Sequence, residues 1–192
     1  MAAFGGCLLI LVVAAVFGAI WAIWRYNNLI SLRNQAANGW KQIDVQLKRR
    51  HDLIPNLVNT VKGIMEFEQD TLQKVIEARS AAMGARGVGD AAAKEGALTD
   101  ALSKFMVVVE QYPQLRSSEN VQQLQEELTS TENKIAFSRQ FYNDIATQFN
   151  IAQQVFPANI IASSFGFKLA ELFEITVAAE REVPAVNLSL KK

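Results

Sequence analysis

Asp44, Lys48 and Asp52 recur at intervals of four, the spacing that stacks side chains along one helix face, with Arg49 and Arg50 beside them. A second charged group, Glu126, Glu127, Glu132, Arg139 and Asp144, lies much further along the chain. Two kinds of chemistry use such residues. Opposite charges facing each other across two helices form ion pairs that fix register, whereas carboxylates with histidines on a bundle's inner faces bind metal ions. The metal reading lacks ligands: Lys48 stands three residues before His51, where a Glu is needed, and the chain has no other histidine. Nucleophilic catalysis lacks its parts too, since Cys7 is the single cysteine and no serine has an indicated base. A general acid or base built from Asp or Glu alone has no positive support, and no cofactor is expected.

Arg50 differs from its neighbours. It falls on an apolar seam with Leu47, Ile54 and Leu57, where an unpaired cation is expensive, so it must find a carboxylate or extend its head to water. We therefore expect an interhelical network joining the Asp44–Asp52 segment to Glu126, Glu127, Glu132, Arg139 and Asp144, with Thr131 and Ser138 small enough to admit a larger side chain. The alternative for Asp44, Lys48 and Asp52 is a solvated charged stripe, because exposed pairs contribute little. Lipid contact by the Lys48–Arg50 cluster is disfavoured: a straight helix carries Lys48 roughly 36 Å beyond Trp24.

The elements that must position these groups read as helix almost everywhere. From Leu29 the seam alternates by four and three through Arg33, Ala36, Trp40, Ile43, Leu47, Arg50, Ile54, Leu57, Val61 and Ile64. It continues weakly through Val75, Ala78 and Ala82 and stops at the glycines of 84–89. Unbroken from Arg25 to Met83, this helix would be roughly 88 Å long. Pro55 lies inside it and predicts a kink near 51–55. A second helix is expected from Asp90 to Gln111, with Leu98, Leu102, Phe105 and Val109 on one face and Tyr112-Pro113 at its end. The third has the most regular seam: Val121, Leu124, Leu128, Thr131, Ile135, Ser138, Tyr142, Ile145, Phe149, Ala152 and Phe156. Pro157 closes it. Asn159 is expected to cap a final apolar helix over 160–179 with Gly166 as its weak point, and 184–192 reads as an extended tail.

Ahead of all this, Ala2 to Trp24 carry no charge and are mostly apolar. About 20 such residues cross a hydrocarbon core of roughly 30 Å, so the length suits a single pass. A cleaved signal needs a basic region before the apolar run, and none precedes Arg25. Phe4-Gly5-Gly6-Cys7 has only three residues before it, too few for a lipoprotein box, so Cys7 is read as an inert thiol near the membrane surface. Trp21, Trp24 and Tyr26 are expected at the headgroup level, with Arg25 marking the exit. Arg25, Arg33 and Lys41 past the span place the large domain in the cytoplasm by the positive-inside rule.

The 19 basic residues balance 19 acidic ones, which argues against a nucleic-acid surface. The resulting organisation is all-α: a transmembrane anchor over 1–25, running into a long-helix antiparallel bundle over 26–183 and a tail over 184–192. Seam positions that project beyond a compact bundle would seek a second copy, so a homo-oligomer is expected.

Four blocks carry a family resemblance: YNNLISLRN, IDVQLKRRHDLIPNLVNTVKG, LQEELTSTENKIAFSRQFYND and FPANIIASSFGFK, in that order after an N-terminal anchor. They resemble the signature blocks of the LemA family, and the likeness runs from about Tyr26 to Pro184. The resemblance implies a bacterial single-pass inner-membrane protein with a long-helix bundle, no established enzymatic activity, and links to membrane proteases or other envelope proteins. His51, where Tyr is frequent, and the glycine-rich 84–89 connection depart from the common form. The function expected is a non-catalytic scaffold confined to a bilayer. The runner-up is a sensor or adaptor whose long helix transmits a change, with Pro55 and Gly166 as hinges.

Overall fold

A computed structural model describes residues 2–62 and 69–174, with the backbone alone for 2–8. Among them every regular element is helical: α1 (Ala2–Lys62), α2 (Gln69–Met83), α3 (Val88–Glu110), α4 (Pro113–Arg116), α5 (Glu119–Gln154) and α6 (Ala158–Ser164). The expected join between α1 and α2, the seam position Ile64, the Cys7 side chain and the 184–192 tail lie outside the described residues.

The apolar run and the seam belong to one helix. α1 stays helical from Ala2 to Lys62 with Pro55 inside it. Side chains 9–20 are exposed, as the outside of a lipid-crossing helix must be; by length and composition α1 is the one described helix fit to cross a membrane. Beyond Trp24 the pattern turns amphipathic.

The chain divides into two compact units, Met1–Asp52 with Glu126–Leu172, and Leu53–Gln125 with Phe173–Lys192. In the first, α1 and α5 run antiparallel. Leu29, Ala36, Ile43 and Leu47 are buried on α1, and Leu128, Thr131, Ile135, Tyr142 and Phe149 on α5. Each fully buried Leu or Ile here contributes about 1.5–3 kcal/mol relative to exposure. The helices approach closely at Gly39, where a Cβ would stand 3.4 Å from the Tyr142 Cα. Two seam positions differ from expectation: Arg33 is exposed with its guanidinium over the Phe167 ring, and Phe156 falls after the last turn of α5 and is exposed.

The second unit buries Ile54, Leu57, Val58 and Val61 of α1, Leu72 and Val75 of α2, and Leu98, Leu102, Phe105 and Val109 of α3. α2 and α3 form a helical hairpin. Their connection is shorter than the glycine pattern suggests, for α3 begins at Val88 rather than Asp90, leaving Gly89 inside it. Gly87 takes φ 83°, a backbone conformation that favours glycine. The Asp90 carboxylate secures this start by accepting from the Arg86 N–H at 2.8 Å and the Lys94 ammonium at 2.9 Å. Those two bonds hold Asp90 below the usual carboxylate range. Pro113 opens α4 at the position where a missing N–H costs nothing.

The end of the chain departs most from expectation. α6 spans only Ala158–Ser164 instead of 160–179, and Pro157, not Asn159, is its N-cap. Gly166 takes φ 68°, the Gly166 N–H donates to Ser163 O at 3.2 Å, and the Phe167 N–H donates to Ala162 O at 3.0 Å. This is the paired-bond stop of a helix C-terminus. Residues 167–174 are non-helical, and the 175–179 part of the expected helix lies outside the described residues.

Candidate functional site

Arg50 points into the first unit because it continues the buried face of Ile43 and Leu47, three residues on from Leu47. Its side chain is 2% exposed, yet arginine cannot shed its charge, so burial demands a partner. The partner comes from α5. An Arg50 Nη2 lies 3.2 Å from Glu132 Oε2, whose side chain is 46% exposed. A dry guanidinium thus meets a half-wet carboxylate, and the pair reaches from seam to flank. A turn away, Arg49 and Glu127 approach to 3.5 Å, both about half exposed, which makes this pair weak and salt-sensitive. Thr131, buried between the two acids, satisfies its own hydroxyl by donating to Glu127 O at 2.7 Å.

The structure places the residues of the expected network as follows. Arg49, Arg50, Glu127 and Glu132 come together across α1 and α5. Asp44, Lys48 and Asp52 are exposed. Glu126 and Asp144 are also exposed, and Arg139 is half-buried on α5. No cluster of three or more His, Cys, Asp or Glu side chains placed for a metal occurs among the described residues.

The other grouping lies where α1 leaves its apolar run. Arg25 stacks its guanidinium over Trp21 and Trp24, 5.8 and 5.2 Å from the ring centroids, a cation–π arrangement suited to a lipid boundary. Trp24 is exposed. Trp21, Ala22 and Tyr26 instead pack on a core of Leu29, Phe149, Ile161 and Ala162. The Tyr26 ring lies 4.7 Å from Phe165 and 5.9 Å from Phe167. The folded part therefore begins within the uncharged run, before Arg25.

A third feature escaped sequence reasoning. The Asn150 amide grips one residue of the 167–174 segment from both sides: its Nδ2 donates to Ala170 O at 2.9 Å and its Oδ1 accepts from the Ala170 N–H at 2.8 Å. One residue on, the Tyr142 hydroxyl donates to Glu171 O at 2.6 Å. The available signal was a poor helix former, Asn150, near the end of a long helix beside the seam residue Phe149. His51 and Glu95 were missed as buried polar groups, having no sequence mark beyond their place in a helix. Gly166, as the stop of α6, is not a flexible point within a longer helix.

These parts define an all-α helical-bundle protein with one described helix fit to span a bilayer and ion pairs between two long helices. A match over residues 39–188 shows that the chain belongs to the LemA family. It is similar to the magnetosome proteins MamQ 1 and MamQ 2 of Paramagnetospirillum magneticum, each 26% identical over 187 residues, covering 84% of this chain and 69% of the relative. It is also similar to the protein LemA of Metamycoplasma hominis, 25% identical over 167 residues, covering 86% of this chain and 74% of that one.

Proposed function

We propose that this chain is a non-catalytic scaffold of the bacterial inner membrane, anchored once through α1 with its bundle in the cytoplasm, which assembles with copies of itself and offers helical faces to another envelope protein such as a membrane protease. The observation that carries this reading is a second apolar face on α5. Phe137 is 73% exposed, and Phe141 and Ile151 are each more than 40% exposed. They stand on the side away from the seam at positions 137, 141 and 151, whose spacing keeps them on one helical stripe. A helix apolar on two sides has one side left for a partner.

The non-catalytic part is supported by the use of the buried cation: Arg50 meets Glu132 across the helices. The names of the similar proteins specify no reaction. The cytoplasmic placement is supported by Arg25, Arg33 and Lys41 just past the span.

Light scattering on the full chain in mild detergent tests the assembly. The expected result is a discrete homo-oligomer that falls to monomer in the double variant Phe137→Ser, Phe141→Ser, with helical circular dichroism unchanged. A wild-type chain that stays monomeric at tens-of-micromolar concentration removes the self-association, and protease accessibility in intact cells decides the side.

A further inference from the structure

Between Asp144 and Lys168 the chain carries no charged residue, and this stretch contains the end of α5, the turn and α6. Its inward side chains, Phe149, Ile161 and Ala162, form the core that receives Trp21 and Ala22. Both belong to the uncharged run of α1, so α6 lies against α1 at the level where that helix passes out of lipid. Outward, large apolar side chains stand beside the small or neutral polar Asn159, Ser163 and Ser164. Phe156 is 80% exposed, Phe165 64% and Ile160 57%. Phe165 touches Tyr26, one residue past Arg25. Arg25, next to Tyr26, and the exposed Lys168, which follows this stretch, have the sign that phosphate headgroups attract.

We propose that the α5–α6 turn and α6 make a second membrane contact, with Phe156, Ile160 and Phe165 entering the headgroup and upper acyl region of the leaflet from which α1 emerges. The ligand is a phospholipid bilayer surface. Its assignment rests on continuity: the exposed apolar face of α6 borders the span itself, so the bilayer that takes residues 9–20 meets it without any further approach. An apolar face lying in the interface is held by burying area in the acyl boundary about 5–10 Å deep. The self-associating stripe at Phe137 and Phe141 takes no part in this contact, and the inference needs only the anchor from the functional reading.

The test uses the full chain carrying Cys7→Ser, with single cysteines at Val12→Cys, Val45→Cys, Phe156→Cys or Ile160→Cys, each labelled with an environment-sensitive fluorophore in phosphatidylcholine nanodiscs. All four sites are exposed, so labelling leaves the core intact. The expected result is strong quenching by doxyl-labelled lipid at 12, 156 and 160, and iodide quenching at 156 and 160 several-fold weaker than at 45. If 12 is quenched by lipid while 156 and 160 behave like 45, the contact is overturned and the anchor stands. Labels at 156 and 160 shielded from both quenchers are covered by protein, which also overturns it. Absence of lipid quenching at 12 overturns anchor and contact together.

Discussion

Arg50 and Glu132 are joined across α1 and α5 at 3.2 Å, with the arginine dry and the glutamate half in water. The asymmetry decides what each side tolerates. Glu132→Gln leaves a buried guanidinium facing a neutral amide and is expected to destabilise the fold by about 1–3 kcal/mol. Glu127→Gln, opposite exposed Arg49, is expected to cost less than about 1 kcal/mol. Thermal unfolding followed by circular dichroism in detergent ranks the two; equal losses contradict the burial argument.

Asn150→Ala removes both bonds to Ala170 and strands a half-buried backbone N–H and C=O. The segment around Lys168 should then detach from α5. Limited trypsin digestion should cut after Lys168 much faster than in wild type, with a global loss of about 1–3 kcal/mol at most. Unchanged cleavage would show that apolar packing alone holds the segment.

Burial, with the nearby Glu171 charge as a smaller cause, raises the ionisation of Tyr142 above its ordinary 10.0. The folded state thus prefers the neutral phenol. Its contribution is complete below pH 10 and declines as pH climbs through the folded value. Tyr142→Phe is expected to lose about 0.5–1.5 kcal/mol near neutrality, the worth of the bond to Glu171 O. The gap between the two proteins should narrow above pH 10, as read from unfolding curves across the alkaline range.

Gly166→Ala puts a Cβ on a backbone at φ 68° with nothing within 4 Å of it, so the cost is conformational, about 1–2 kcal/mol. The same substitution favours helix beyond Ser164. A rise in helical dichroism alongside the loss in stability would show the stop competing with local helix preference; a neutral substitution would contradict the strain.

Most of the fold was legible because burial follows helical periodicity. The α5 seam marked Val121, Leu128, Thr131, Ile135, Tyr142 and Phe149, and all are buried. Arg50 was legible as a buried cation for the same reason. Its partner was not singled out, since Glu126, Glu127 and Glu132 differ only in azimuth and reach. The segment after Gly166 misled because Phe167 to Ala179 has helix-forming composition. A left-handed glycine, the Asn150 grip and the Tyr142 bond override that preference over 167–174, and such tertiary bonds leave no period to read.

α1 passes from Trp21 to Arg50 without a break in its helix. Each residue of such a shaft is turned about 100° from the last, so a rotation of the lipid-embedded end by a single step would swing Arg50 away from Glu132. The lipid is therefore not at liberty to choose which flank of the span it sees. The soluble half, by clamping Arg50, selects the azimuth at which the greasy half comes to rest.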